Sequence, residues 1–308
     1  MSGILDYVEL TLTDLDSLDR NRTVFFMPVS PIEVHGPHLP LGTDVMISCE
    51  VKRRVQQKLL ESHPELTLVN LPPLYCGSDA LPVPGSISVP APYLSGVLLS
   101  YAKGLSRQGF KYLLITDNHG GPRHQMAVDY AVRKAWSKYR FYLIDPFLTI
   151  YKYMVRHEPA FMELTGLPPG KCGDDEDNHA GTNETSLMMA VSPDYAEKDY
   201  GSVKPSLLPK PRGMAGLLRV VGQVLLRMGF REIGSDLLHL ANTLAWVSEK
   251  PLVPYMGSPA LASREAGESM LNAHVTISLE LLERALSGDD VIETPILRSL
   301  SFMRNVPE

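Results

Sequence analysis

The 308-residue sequence predicts an α/β fold built on a mainly parallel sheet. Three observations predict it. Short, continuous apolar segments rich in β-branched and aromatic residues read as strands buried on both faces. Amphipathic helical stretches alternate with them, as parallel βαβ units require. Loops rich in Gly, Pro and His follow the strands, where open α/β sheets carry their ligands.

Taken in order, Thr23-Val24-Phe25-Phe26-Met27-Pro28-Val29 is the first such strand, ending at Ser30-Pro31. After a loop, Thr43 or Asp44 stands where an N-cap is expected for a helix reaching about Ser62. An amphipathic helix over Tyr93 to Gln108 precedes a second strand, Tyr112 to Thr116, and a helix over Gln125 to Tyr139 leads to a third, Phe141 to Ile144. The pattern then changes. Met214 to Trp246 is helical without an intervening strand and is bracketed by Pro209, Pro211 and Pro251. A long helix over Ala262 to Leu286 follows, with Gly288 as its stop. Residues 1–308 therefore read as a single domain with a helical insertion at about 209–256.

The composition, 44 % hydrophobic and 21 % charged, is that of a globular protein, and a net charge of −6 argues against phosphate backbones as partners. No nucleic acid is expected. The most apolar long stretch, Gly216 to Phe230, is broken by Arg219, Gln223 and Arg227, so no membrane span is expected either. The start, Met1 to Asp6, lacks a basic segment followed by an apolar one. Cys49, Cys76 and Cys172 are far apart, without a CxxC pair. They suggest neither a disulfide nor a zinc-thiolate framework, Cys49 and Cys76 read as buried thiols, and a cytoplasmic location fits.

Chemistry concentrates in three clusters. Glu33-Val34-His35-Gly36-Pro37-His38-Leu39-Pro40-Leu41-Gly42-Thr43-Asp44 follows the first strand, and in extended chain Glu33 and His35 point to the same side. Imidazole and carboxylate ligands suit divalent metals that activate water, and Asp44 is a candidate bridge between two ions. Asp117-Asn118-His119-Gly120-Gly121 follows the second strand, its glycines allowing close approach of backbone and ligand. The third cluster is Asp177-Asn178-His179-Ala180-Gly181-Thr182-Asn183-Glu184-Thr185-Ser186. His179 and Glu184 converge only if His179 lies in the loop before the helix. The preceding Asp174-Asp175-Glu176 reads as a solvated acidic surface.

These motifs, with Pro84-Gly85-Ser86-Ile87-Ser88, resemble the creatininase (creatinine amidohydrolase) family over about residues 20–195, resuming weakly from Gly257 to Gly267. The resemblance implies a three-layer α/β/α fold, a homo-oligomer, commonly a hexamer, and two divalent metal ions, Zn, Mn or Fe. By position, Glu33, His35, Asp44 and His119 would be metal ligands and His179 the acid/base. Glu184 would be a further ligand or a base, and the residues leave both open.

The departures are specific. Creatinine-hydrolysing members place a glutamate two residues after the histidine of the second cluster; here that position is Gly121, so the second ion must be completed otherwise. Their tryptophan cage is not matched, because neither Trp136 nor Trp246 is expected at the site, and Tyr151 and Tyr153 read as core or surface residues. Asp117 would raise the basicity of His119 if it pointed inward, or would merely cap. The insertion is expected to serve packing more than substrate contact. The expected activity is metal-dependent hydrolysis of a cyclic amide or other small C–N bond in a small-molecule substrate other than creatinine. The rivals are ring-opening hydrolysis of a cyclic polyol diketone and a non-catalytic metal-binding subunit.

Overall fold

The computed structural model describes residues 3–196 and 200–305. The chain runs through β1 (Gly3–Asp6), α1 (Leu12–Ser17), β2 (Thr23–Ser30), α2 (Thr43–Ser62), β3 (Thr67–Asn70), β4 (Leu74–Tyr75) and α3 (Ala91–Arg107). It continues through β5 (Tyr112–Thr116), α4 (Pro122–Tyr139), β6 (Tyr142–Ile144), α5 (Phe147–Arg156), α6 (Pro159–Thr165), α7 (Thr182–Val191) and α8 (Pro193–Ala196). Helices α9 (Gly213–Arg227), α10 (Arg231–Val247) and α11 (Arg264–Leu286) follow.

The strands pair in the order β1-β3-β2-β5-β6, all parallel. Every residue of β2 is buried, which is why its sequence shows no polar alternation. Its side chains still divide by the pleat. Val24 and Phe26 join the core beneath α2, α5, α7 and α11, while Phe25, Met27 and Val29 join the core beneath α3 and α4. Tyr112 and Leu114 of β5 go to the first core and Leu113 and Ile115 to the second. Helices thus cover both faces, giving the expected three layers. Strands β1, β3 and β4 are only two to four residues long and carry too little pattern to be read beforehand.

One flank of β2 changes partner midway. Thr23 to Phe26 pair with β3, whereas Val29 and Ser30 pair with β4. Pro28 falls at the gap on β2, and Pro72-Pro73 fall at the gap between the two partners. Having no N–H, prolines there leave no buried donor unpaired, which explains a residue otherwise misplaced in a central strand.

Helix α2 is capped differently from the expectation. Gly42, not Thr43 or Asp44, is the N-cap, and Thr43 donates its hydroxyl to Pro40 O at 2.7 Å. Asp44 is thereby free to turn inward. Between α9 and α10 only Met228, Gly229 and Phe230 intervene, and the helices cross glycine on glycine. A Cβ on Gly234 would lie 2.8 Å from Leu226 and 3.0 Å from Gly222 O, so a larger residue would have to displace Leu226 and press the two helices apart. Among the described residues no helix is long and apolar enough to cross a membrane.

Candidate metal centre

Because β2 and β5 are neighbours, the loops leaving their carboxyl ends emerge side by side, with Pro28 level with Thr116. The first carries Glu33 and His35 and leads to Asp44 in the first turn of α2; the second carries Asn118 and His119. The loop before α7 brings His179 to the same place, as convergence with Glu184 demanded. Ala180 adopts a left-handed φ of 48°, and this turn aims its N–H at Glu184 Oε2, 2.5 Å away. Asp177 accepts from Thr182 N at 2.5 Å and Asn183 N at 2.8 Å, supplying the cap that Gly181 lacks.

All six predicted residues meet at this site. Three overlapping groups, Glu33/Asp44/His119, His35/Asp44/Glu184 and Glu33/His35/His179, each place their donor atoms within 4.8 Å of one another. Asp44 belongs to the first two. Its Oδ2 lies 3.5 Å from His119 Nδ1 and its Oδ1 3.3 Å from His35 Nε2. Glu33 Oε2 lies 3.0 Å from His119 Nδ1, and Glu184 Oε2 lies 3.7 Å from His35 Nε2.

Backbone carbonyls fix the ring tautomers. A carbonyl only accepts, so His35 Nδ1–H donates to Glu33 O at 3.0 Å, His119 Nε2–H to Ser78 O at 2.9 Å and His179 Nε2–H to Val34 O at 2.8 Å. The opposite nitrogens face the carboxylates. Glu33 Oε2, Asp44 Oδ2 and His35 Nε2 are buried without a hydrogen-bond partner despite these close neighbours. Such atoms aim at shared points between them, where positive charge must sit.

The charge balance agrees. Burial opposes ionisation of Glu33, yet His119, His179 and His35 hold its carboxyl down at about 2. Burial likewise opposes charge on Asp44, but His35 and His119 hold it well below the usual carboxylate range. Against the cost of burial, Asp44 and Glu184 raise His35 to about 10, and Glu33 and Asp44 raise His119 well above an ordinary histidine. Protons on these rings or divalent ions between the donors can supply that charge. The donor set, oxygen and imidazole nitrogen with ring orientation fixed from behind, fits divalent ions.

His179 and Glu184 differ from the rest. Burial pushes His179 down to about 4 and Glu184 up to about 7, so the imidazole is neutral near pH 7. Asn118, which the sequence did not single out, donates to Asp44 Oδ1 at 3.2 Å and Glu184 Oε1 at 3.0 Å, tying the two clusters together. A side chain at Gly121 would begin 2.5 Å from His119 Nε2 and 2.6 Å from Ser78 O, leaving no room for the relatives' glutamate. Glu184 faces His35 and Asp44 instead. Within the first motif, His38 remains apart, bonded to Thr185 Oγ1 at 2.9 Å.

Of the two roles left open for Asp117 it takes the capping one, accepting from Ser30 Oγ at 2.6 Å, from the backbone of Asn118 and His119, and from His124 Nε2 at 2.9 Å. Other expectations are corrected. Asp174 and Asp175 are not a solvated surface. Asp174 is buried against His157 and Gly170 N, and Asp175 accepts from His239 Nδ1 at 2.6 Å and Asn242 Nδ2 at 2.7 Å, while Glu176 is exposed as expected. Cys49 and Cys76 are only half-buried. The α9–α10 segment packs on the core through Leu218, Leu225, Leu237 and Leu240, and α10 also borders the site. Trp246 places its ring 5.6 Å from that of His179, and His239 reaches the Tyr151 hydroxyl at 3.2 Å. Tyr151 in turn packs on Gly120 and approaches Asn178 Oδ1 at 3.4 Å. The spacing of His239, Asn242 and Trp246, one helical face, was the available signal.

Known proteins resemble this chain in sequence and fold. The family model described as creatinine amidohydrolase matches residues 8–282. The creatinine amidohydrolase of Pseudomonas putida is 26 % identical over 186 residues, covering 57 % of this chain and 67 % of that protein. The mycofactocin precursor peptide peptidase of Mycolicibacterium smegmatis is 26 % identical over 205 residues, covering 64 % of this chain and 71 % of that protein. A solved manganese form of creatininase superposes with a TM-score of 0.61 at 21 % identity, over 92 % of this chain and 99 % of that one. A zinc–zinc form of a creatininase variant gives 0.60 at 20 % identity, with the same coverage. The match of the family model across nearly the whole chain agrees with the fold and with the grouping of the three motifs: this chain belongs to the creatininase family of hydrolases.

Proposed function

We propose that the protein is a metal-dependent amidohydrolase that cleaves a C–N bond in a small amide or peptide-like substrate. The observation that carries this reading is the pair of donor groups sharing Asp44, with His35 and His119 turned toward the carboxylates by carbonyls behind them. Glu33, Asp44 and His119 would hold one divalent ion, and His35, Asp44 and Glu184 a second. Solved creatininases in manganese and zinc forms support this class of ion. When bound, the ions would supply an activated water and polarise the substrate carbonyl.

The chain's own residues do the rest. His179, neutral and with its Nε2–H engaged by Val34 O, presents Nδ1 toward Glu184 and the donor groups. It can take a proton at Nδ1 and return it to the departing nitrogen, which a poor amine leaving group requires. Asn118 bridges Asp44 and Glu184 and fixes the orientation of both carboxylates. Trp246 covers His179 from the α10 side and limits water there.

A relative named as a mycofactocin precursor peptide peptidase supports amide rather than carbon–carbon cleavage. The test is amine release. Protein purified without chelator is expected to hold two divalent ions per chain and to release primary amine from members of a panel of lactams, N-formyl compounds and short peptides. Chelation should abolish turnover, added Zn or Mn should restore it, and His179→Ala should lose activity with its ions retained. Full turnover by metal-free protein, or a product without new amine, would overturn the reading.

A further inference from the structure

Two side chains of the first donor group lean on one short loop. His119 Nε2–H donates to Ser78 O, and Leu81 N–H donates to Glu33 Oε1 at 2.6 Å. The imidazole and the carboxylate are thus turned by backbone groups three residues apart, and both belong to the group that includes Asp44. On its amino side Ser78 is well secured: its hydroxyl donates to Val89 O at 2.6 Å and its N–H to His124 Nδ1 at 3.3 Å. The next residue needs a tether of its own, because Asp79 stands in the left-handed region with a φ of 60°.

That tether is Arg123. Asp79 Oδ2 accepts from Arg123 N at 2.6 Å, Asp79 Oδ1 accepts from Arg123 Nε at 2.6 Å, and Arg123 Nη2 closes the ion pair. Arg123 lies in the first turn of α4, whose N-cap, Gly121, has no side chain to offer, so the Asp79 carboxylate caps the helix from outside. His119 comes only three residues before α4 begins. One contact therefore fixes both ends of the bond between His119 and Ser78, for the donor runs on into α4 and the acceptor into Asp79. Gly121 lets the two segments close, since a Cβ there would meet Ser78 O at 2.6 Å and Asp79 Cβ at 2.9 Å.

The surroundings of the pair separate position from stability. Its side chains are 13 % and 23 % exposed, and with Ala80, Pro82 and Pro122 they line a cavity of about 390 Å³. An ion pair reached by solvent adds little to folding. We propose that Asp79 and Arg123 are positioning residues, a clamp that holds Ser78 O behind His119 and Leu81 N behind Glu33 so that both face the first ion. The inference rests on the two-ion reading above, and one arm of its test does not.

Asp79→Gly keeps the left-handed turn available and removes the carboxylate. Arg123→Ala removes the guanidinium, whereas Arg123→Lys keeps its charge. In metal-free protein, imidazole ¹⁵N–¹H spectra follow the His119 Nε2–H, assigned by its absence from His119→Gln. Its exchange with water should quicken at least tenfold in Asp79→Gly and Arg123→Ala, and less in Arg123→Lys. Titration of the metal-free proteins with Mn²⁺ should show one of two ions weakened on the order of tenfold in the first two variants, the lower end of what loss of a ligand's supporting hydrogen bond costs, with the other ion moved far less. Natural ring exchange or natural ion affinity in Asp79→Gly would overturn the clamp, for Asp79 would then serve only the turn. So would fast ring exchange in the unsubstituted protein, or equal weakening of both ions with a lowered melting temperature. Should Asp79→Gly misfold, Arg123→Ala against Arg123→Lys makes the same comparison. If the unsubstituted protein binds no divalent ion, the two-ion reading falls, and ring exchange alone decides whether the clamp holds His119.

Discussion

His274 offers a clean measurement of what burial costs in this fold. It lies on the inner face of α11, 2 % exposed, with its ring 6.0 Å from that of Phe147 and its Nε2 without a hydrogen-bond partner. Burial alone pushes its pKa from 6.5 down to about 4. A lowered folded pKa means that the unfolded chain binds the extra proton first, so the stability tied to the neutral ring is complete above pH 6.5 and drains away as pH falls toward 4. At 1.36 kcal/mol per unit, the loss reaches about 2 kcal/mol by pH 5 and about 3 kcal/mol at pH 4. His274→Leu removes the titrating group and keeps the volume near that of the ring. Urea unfolding of both proteins at pH 7.5 and pH 5.0 should show the natural protein losing about 2 kcal/mol more than the variant across that interval. Equal losses in the two proteins would refute the reasoning, for the ring would then be charging without penalty in the folded state.

Two further substitutions probe the site. Gly121→Ala puts a methyl 2.5 Å from His119 Nε2, so the ring must leave Ser78 O; elemental analysis should find one ion lost per chain, with activity down at least a hundredfold. His239→Gln breaks the run from Asp175 through His239 to the Tyr151 hydroxyl that braces Gly120 and Asn178. We expect kcat to fall roughly tenfold with metal content intact, and Asp175→Asn added to it to cost little more, since both act through one chain of contacts.

The core strands were legible because burial on both faces leaves an unbroken apolar signature, and the ligand loops because Glu33, His35, Asp44 and His119 follow the two strands β2 and β5, which prove to be neighbours. What stayed hidden was set by contacts across long sequence separations. Asp175 reads as surface until His239, 64 residues away, is seen to fold over it. Trp246 is 67 residues from His179 and meets it only because the crossing at Gly222 and Gly234 fixes which face of α10 turns inward. Asp117, two residues before His119, left open an electrostatic or a capping role, and only the fold shows that its carboxylate turns back onto the Asn118 and His119 amides, Ser30 and His124. The short strands β1, β3 and β4 owe their existence to pairing with their neighbours rather than to a pattern of their own.

The change of partner along β2 has a kinetic meaning. Glu33, His35 and Asp44 are at most 2 % exposed, so ions of the proposed kind would reach them only when the surrounding loops part. Were β3 and β4 a single continuous strand, such a parting would have to unzip the ladder that anchors Phe26. With Pro28 and Pro72-Pro73 at the junction, Val29 to Asp44 and the residues after Leu74 can loosen as one cooperative unit while Thr23 to Phe26 stay paired. Loading and loss of such ions would thereby be uncoupled from global unfolding, and amide exchange at Val29 and Ser30 should quicken on metal removal while that of Val24 to Phe26 keeps its pace.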